Sequence, residues 1–364
     1  MEVFHFPATS SEITLRIPSM PSEFTKTRRI DFFPPLKLVG DSRSGSPDPE
    51  SRNRMFILGM GFVGGFFAEK LKDAGWAVSG SCRSDAKKME FQKRGIDVHL
   101  FSAAQPQWRM LEAVKDFTHL LVSIPPLADI GDPMLRHEEL LRSQLSGGNL
   151  QWLCYLSSTS VYGDCGGEWI NEDYLPNPKT HSSKMRLDSE KGWLDLGRDL
   201  GVSTQILRLG GIYGPGRSAI DTLIKQEPLS KAQKRRASRK FTSRVHVDDI
   251  CQALQAAIEK PSPGEIYNIV DDDPAQREEV FAYALELIKN RWPGKIKQNP
   301  SLESFEATHK ESSLRGEKRV SNSRMKSKLG VKLHYPSYKS GLRSIVEKMD
   351  DNPFDQISPS GYSL

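Results

Sequence analysis

Three glycines carry the first chemistry legible in the chain. They stand in Gly59-Met60-Gly61-Phe62-Val63-Gly64, directly after the apolar run Met55-Phe56-Ile57-Leu58. A helical pattern follows, with Val63, Phe67 and Leu71 four apart on one face, and Ala77-Val78 then opens a second strand. In a strand, turn, helix, strand sequence each glycine has a task. Gly59 permits the tight turn, Gly61 lets a pyrophosphate approach bare backbone, and Gly64 lets the helix pack close to the sheet. The free N–H groups of the first helical turn then meet the phosphates. The reading is a dinucleotide site walled by Met60, Phe62 and Val63. The alternative is a glycine turn with a structural role only.

The end of the second strand bears on which dinucleotide. NAD-binding proteins usually place an acid there to hold the ribose hydroxyls. This chain reads Val78-Ser79-Gly80-Ser81-Cys82-Arg83-Ser84, with Asp85 falling beyond the strand. The planar guanidinium of Arg83 suits the extra 2′-phosphate of NADP, and Ser81 could add a hydroxyl. NADP(H) is expected over NAD(H).

These residues need a scaffold, and the chain supplies one. Apolar runs at 96–100, 118–123, 150–156, 202–207 and 265–270 read as further strands, with helical patterns at 134–146, 184–199, 249–259 and 276–289 between or after them. The fold class is α/β, a doubly wound and mostly parallel Rossmann sheet with a small C-terminal lobe on the substrate side. The expected division is a leader over 1–52, a dinucleotide-binding core over 53–270, the small lobe over 271–349 and a loose tail over 350–364. Residues 213–245 contribute to the substrate side of the core. In such a sheet, ligands lie at the C-terminal strand ends, so Ser123-Ile124-Pro125 should pass beside the adenosine or its ribose.

The chain has 364 residues, a formal net charge of +5 and four scattered cysteines without a CxxC pair. That pattern suits a reducing compartment and no structural zinc site. No apolar stretch is long enough for a membrane span. The basic run Lys231–Lys240 reads as a solvated loop or as a rim attracting an anionic ligand, and the mild overall charge does not point to nucleic acid. Residues 1–52 are rich in Ser, Thr and Pro with interspersed Arg and Lys. They read as a transit peptide for the chloroplast stroma or as a simple disordered leader on a cytoplasmic protein.

Taken in order, GMGFVG at 59–64, SSTSVYG at 157–163, Lys184, Glu190, RLGGIYGPGR at 208–217, VHVDD at 245–249 and YNIVDD at 267–272 resemble the extended branch of the short-chain dehydrogenase/reductase family. Val161-Tyr162-Gly163-Asp164, Gly166-Gly167, Trp169 and Glu172, with Lys318–Asn322 and Tyr335-Pro336, resemble an atypical, poorly characterised subgroup of bacteria and plants. The resemblance implies hydride transfer between a nicotinamide and a small carbonyl, alcohol or sugar-nucleotide-like substrate. A serine polarises the substrate oxygen, a tyrosine transfers the proton, and a lysine four residues later holds the ribose and favours the phenolate.

Ser158 and Lys184 match the serine and the lysine. The tyrosine position is Thr180, whose hydroxyl is too weak an acid and whose side chain is too short. Tyr162, His181 and Tyr174 are the substitutes to consider, Tyr162 foremost because of its closeness to Ser158. Gly210, Gly211 and Ile212 are expected at the nicotinamide end, and Tyr162, Arg217, Arg244 and His246 at the rim of a substrate site, for a ligand that could be anionic. Asp248 and Asp249 do not complete a metal site with His246. The ordinary role for His246 is that of a satisfied histidine before a helix. Three functions stay open: an NADP-dependent oxidoreductase, an NADP(H)-holding sensor or assembly protein without turnover, and an epimerase that recycles its hydride. A homodimer also stays open.

Overall fold

The computed structural model describes residues 53–102, 109–225, 241–296 and 317–354. The 1–52 leader, the Lys231–Lys240 run and the tail beyond 354 lie outside the described residues.

Seven parallel strands form the central sheet in the order β10-β7-β5-β4-β1-β2-β3. They are β1 (Arg54–Leu58), β2 (Ala77–Cys82), β3 (Asp97–Leu100), β4 (His119–Val122), β5 (Trp152–Ser158), β7 (Ser203–Leu209) and β10 (Ile266–Ile269). Both faces of the sheet are covered, which is why these strands read as apolar runs rather than alternating ones. In β1 every residue from Met55 to Leu58 is 0% exposed. Phe56 and Leu58 join Val122, Leu153 and Tyr155 in a cluster with Trp193 and Leu196 of α5 (His181–Leu200) and Leu141 of α4 (Glu138–Leu145). Ile57 points the other way, toward α1 (Phe62–Asp73), where a Cβ on Gly64 would sit 3.0 Å from its Cγ2. The strand order reverses between β1 and β4, and a crevice at such a switch point is where doubly wound sheets take their ligands.

Beside the sheet, α6 (Ala219–Lys225), α8 (Arg277–Arg291) and α9 (Tyr338–Lys348) share a second core of Ile220, Leu223, Phe281, Ile288, Trp292 and Leu342, which Tyr213 joins. The lobe therefore draws on residues before position 271 as well as after it. Residues 317–324 return to the sheet side. There β11 (Arg319–Val320) pairs in parallel with β6 (Trp169–Ile170). A further short parallel pair joins β8 (Gly211–Tyr213) to β9 (Arg244–His246), and α7 (Val247–Glu259) follows β9. The start of the expected loose tail is held in place. Trp292 Nε1 donates to the Asp351 carbonyl at 2.8 Å, and Phe354 lies edge-on to the Trp292 ring.

No described helix is long and apolar enough to cross a membrane. All four cysteines are buried and unpaired.

Candidate functional site

The glycine turn sits at the switch point. Gly59 has φ +97°, and a Cβ there would lie 2.9 Å from Ile124 Cγ1 across the crevice. Any L-residue would be strained by that backbone and would collide with the exit of β4. A Cβ on Gly64 would fall 2.4 Å from the Gly59 carbonyl oxygen, so helix and turn touch through this glycine. Gly61 is different. A Cβ there would meet only the Gly59 oxygen, at 4.0 Å. Packing does not demand glycine at this position, but a bulky anion lying on the turn does. Gly61 is the N-cap of α1, no side chain caps the helix, and the first turn carries no acid. The cradle therefore fits a dinucleotide diphosphate. Met60 is buried, and its sulfur would be 2.9 Å from a Cβ on Gly80, so it fastens the turn to β2. Val63 is buried and Phe62 half-buried.

At the end of β2, Ser81 is committed to the turn: its Oγ accepts the Gly59 N–H at 3.1 Å. Arg83 is the first residue past the strand. It is exposed and makes no hydrogen bond or ion pair with a described residue. Asp85 lies inside α2 (Asp85–Lys93), which Ser84 caps by accepting the Lys87 N–H.

Across the crevice, Ser123 and Ile124 leave β4 half-buried and Pro125 is exposed. The loop that follows is anchored by Asp132. One carboxylate oxygen accepts the N–H groups of Met134 and Leu135, and the other accepts the Trp193 indole N–H at 2.9 Å.

Ser158 ends β5 half-buried, its Oγ accepting the Ser160 N–H at 3.2 Å. Its own proton has no partner among the described residues. Tyr162 departs from expectation. The helical turn over 159–162 swings it away from the crevice into a cluster with Val161, Ile170, Val270 and Val320, where it is 0% exposed. Its hydroxyl donates to Asn268 Oδ1 at 2.8 Å, and the Arg208 guanidinium lies 4.8 Å from the centre of its ring. Burial raises its pKa. A phenol walled in this way is neither a substrate contact nor a ready proton donor.

Thr180 is the N-cap of α5, with extended backbone (φ −101°, ψ 152°). Its Oγ1 accepts the Ser183 N–H, and Ser183 Oγ in turn accepts the Thr180 N–H, each at 3.2 Å. The threonine thus caps the helix, one turn before Lys184, whose N–H donates to the Thr180 carbonyl at 3.0 Å. Lys184 is exposed, and its ammonium has no partner among the described residues. His181 is exposed and 3.2 Å from the Ala128 carbonyl, on the loop beyond β4. Tyr174 sits edge-on to Tyr162 at the surface.

Under α5 lies a polar row that sequence reading left without a role. Ser157, Arg208 and Asn268 are register partners on three adjacent strands. Arg208 and Glu190 of α5 form an ion pair at 2.7 and 3.0 Å with side chains 3% and 1% exposed, and Ser157 donates to the same carboxylate. Burial works against the Arg208 charge, and Glu190 outweighs it, so its pKa ends raised. The Asn268 N–H donates to the buried Glu172 at 2.7 Å. A charged residue inside an apolar strand was the available signal, because a buried arginine requires an acid.

On the substrate side, Gly211 is exposed and Ile212 half-buried, in β8. Arg244 is half-buried and tied down. Its Nη1 donates to the carbonyls of Thr242 and Ala275 at 2.7 and 2.9 Å, and burial lowers its pKa. His246 lies in the interior rather than at the rim, and takes the ordinary role of a satisfied histidine before a helix. It is 2% exposed, lies with its ring centre 4.1 Å from that of Tyr335 at a tilt of 50°, and caps α7 by accepting the Asp248 N–H at 3.2 Å. Burial pushes its pKa down to about 4. Arg217 is exposed and lies against Phe62, its guanidinium carbon 5.3 Å from the ring centre. Of the residues expected at the rim, Arg217 alone reaches the glycine turn by a contact in the structure. Among the described residues no His, Cys, Asp and Glu group could hold a metal ion.

Comparisons with known proteins agree with this architecture. Residues 55–270 match the model of the NAD dependent epimerase/dehydratase family. The chain is 30% identical over 225 residues to Protein YeeZ of Escherichia coli K12, covering 59% of this chain and 77% of that one. A functionally unknown conserved protein from Silicibacter pomeroyi is 29% identical and superposes with a TM-score of 0.62, over 80% of this chain and 98% of the other. UDP-glucose 4-epimerase from Thermotoga maritima, solved with UDP-glucose, shares the fold at 17% identity, with a TM-score of 0.62 over 81% and 97% of the two chains. The family match runs from β1 to the last strand of the sheet and includes the glycine turn. The chain belongs to the NAD dependent epimerase/dehydratase family.

Proposed function

We propose that this protein is an NADP(H)-dependent oxidoreductase acting on a small, anionic carbonyl or sugar-nucleotide-like substrate, with a proton step that no tyrosine serves. Arg83 carries the cofactor assignment. It is exposed and uncommitted at the end of β2, where an acid would favour NAD. Gly59, Gly61, Gly64 and the first turn of α1 would hold the diphosphate, with Ser123, Ile124 and Pro125 beside the adenosine. Lys184, Gly211 and Ile212 would lie near the nicotinamide ribose. Bound NADPH supplies hydride. Ser158, with an uncommitted hydroxyl proton, orients the substrate oxygen. The proton comes from solvent, because Thr180 and Tyr162 are committed elsewhere. The test is titration of NADPH and NADH fluorescence. Arg83→Ala weakens NADPH binding about 10-fold and leaves NADH within about 2-fold, as expected for one charge-assisted contact to phosphate. Equal effects on the two cofactors remove Arg83 from the phosphate site.

The capping role of Thr180 favours a second reading, an NADP(H)-holding protein without redox turnover. A positioned proton donor contributes about 10² to 10⁴ in rate. NADPH oxidation followed against a panel of carbonyl compounds, with sugar-nucleotide isomerisation monitored in parallel, separates the readings. For the leader we propose delivery to the plastid stroma. A fluorescent protein fused after residue 52 enters plastids on this reading and stays diffuse otherwise.

A further inference from the structure

The loop that leaves β4 is pinned at both ends. At its start, the Ser123 N–H donates to the Leu58 carbonyl at 2.8 Å. Ile124 then presses on the glycine turn, its Cγ1 2.9 Å from where a Cβ on Gly59 would stand. At its end, Asp132 accepts the Trp193 indole N–H at 2.9 Å. Leu135 packs on α5 at Gly192, where a Cβ would come within 2.6 Å of Leu135 Cδ1. Glycine at 192 is what admits the leucine.

Between these anchors the chain doubles back. Leu127 and Gly131 exchange two backbone hydrogen bonds, each at 2.8 Å, and the Ile130 N–H also donates to the Leu127 carbonyl at 3.2 Å. Gly131 has a φ of 77°. The result is a small self-closed tip with Ala128 and Asp129 exposed. Among the described residues, one hydrogen bond ties this tip to another element: His181 Nε2 lies 3.2 Å from the Ala128 carbonyl oxygen. A carbonyl only accepts, so Nε2 carries the proton. His181 is exposed. Water therefore competes for both groups, and the contact opens and recloses readily. The post itself is firm, because Thr180 and Ser183 cap the helix that His181 begins.

The tip thus links two stretches assigned above to the cofactor. Ser123-Ile124-Pro125, beside the adenosine, lie at its root, and Lys184, near the nicotinamide ribose, stands three residues beyond His181 on α5. We propose that the 127–131 tip is a strap across the dinucleotide site, latched by His181 and released there for cofactor exchange, with Asp132 and Leu135 as its fixed hinge. This rests on the dinucleotide reading given above. The strap acts on NADP and NAD alike, since the 2′-phosphate is assigned to Arg83 at the end of β2.

Association and dissociation rate constants for NADPH and NADH are measured by stopped-flow fluorescence. Amide exchange over 127–131 is followed in the ligand-free protein by mass spectrometry. The free and bound forms share the latch, so its loss lowers the exchange barrier from both sides. His181→Ala raises both rate constants about 2- to 10-fold, the equivalent of one net hydrogen bond, and leaves Kd within about 2-fold for either cofactor. It also speeds amide exchange at Ile130 and Gly131. His181→Gln keeps a side-chain N–H at similar reach from the Ala128 carbonyl and restores both measurements. Rate rises shared by the two cofactors support the strap even where Arg83→Ala fails to discriminate between them. Unchanged rate constants in His181→Ala overturn the proposal, as does wild-type amide exchange in that variant. A rise in dissociation alone, with affinity lost, overturns it too, because that marks a direct contact between His181 and the cofactor. Equal effects of His181→Gln and His181→Ala overturn the hydrogen-bonded latch. Failure of the unmodified protein to bind any dinucleotide overturns this inference together with the function on which it rests.

Discussion

Replacing Glu190 by Gln removes one charge from a buried pair and leaves the shape intact. Arg208 and Glu190 have side chains 3% and 1% exposed, and the guanidinium makes contacts of 2.7, 3.0 and 3.3 Å to the carboxylate. Solvent cannot screen the arginine once its partner is neutral. Breaking a buried pair on one side costs about 3–5 kcal/mol, because an uncompensated charge remains. Against a typical total of about 5–15 kcal/mol, that is a large part of the stability. The glutamine can still accept from Ser157 and from one arginine nitrogen, which places Glu190→Gln toward the lower end and Glu190→Ala toward the upper. Urea unfolding followed by tryptophan fluorescence reads both. The double variant Glu190→Leu/Arg208→Met removes both charges and fills the space with apolar atoms, so it recovers most of the loss. A loss under about 1 kcal/mol in Glu190→Gln, or a double variant no better than the sum of its single changes, refutes the account of this pair.

Thr180 gives a contrasting case: Thr180→Ser keeps the cap and the stability, whereas Thr180→Ala and Thr180→Tyr lose about 1 kcal/mol by thermal or urea unfolding. Since residue 180 is committed to capping α5, Thr180→Tyr brings no large gain in carbonyl reduction, and a gain of 100-fold or more in NADPH oxidation contradicts the capping role. Stability also depends on pH through His119 and His246, each with its pKa pushed down to about 4 by burial. Between about 6.5 and 4 the unfolded chain binds protons that the folded one refuses, so stability is full above pH 6.5 and falls as pH drops, by up to about 3 kcal/mol per histidine. Asp249, raised to about 6 by burial, opposes this over most of the window. Urea midpoints at pH 7 and 5 for the unmodified protein and His119→Gln check it, and equal slopes for the two proteins count against the histidine.

The sheet was legible because its strands are buried on both faces and read as apolar runs. The glycine turn was legible because its flanks fix which glycine meets which neighbour. The helix starts were harder. The residue three positions after Thr180 in its capping box is Ser183 rather than the usual Glu or Gln, so the sequence carries no ordinary capping-box signature there. The predicted helix over 134–146 splits into a tight turn at Leu135–His137 and a shorter helix, because Asp132 binds the first N–H groups. Tyr162 misled for a geometric reason: nearness to Ser158 in sequence says nothing of direction, and one turn of tight helix sends it into the core. His246 takes the more ordinary of its two expected roles, a satisfied histidine before a helix, between Val245 and Val247, which are both buried. Two-residue strands such as β6 and β11 carry no period to detect.

The pairing of β11 with β6 has a consequence for the order in which the molecule is assembled. The segment around Arg319 is stitched to the loop after Tyr162 by hydrogen bonds that include Cys165 N–H to the Glu317 carbonyl, Glu317 N–H to Asp164, Lys318 Nζ to the Gly163 carbonyl and Arg319 Nε to the Gly167 carbonyl. Their partners lie more than 150 positions apart in the chain. During synthesis at about 5–20 residues per second, the loop leaves the ribosome roughly 8–30 seconds before the strand that secures it. Through that interval Gly163–Gly167 and the cluster beneath them lack their cover. Contacts of such long range form late in folding, so the last strand made among the described residues is the one that seals the roof over Tyr162 and Asn268.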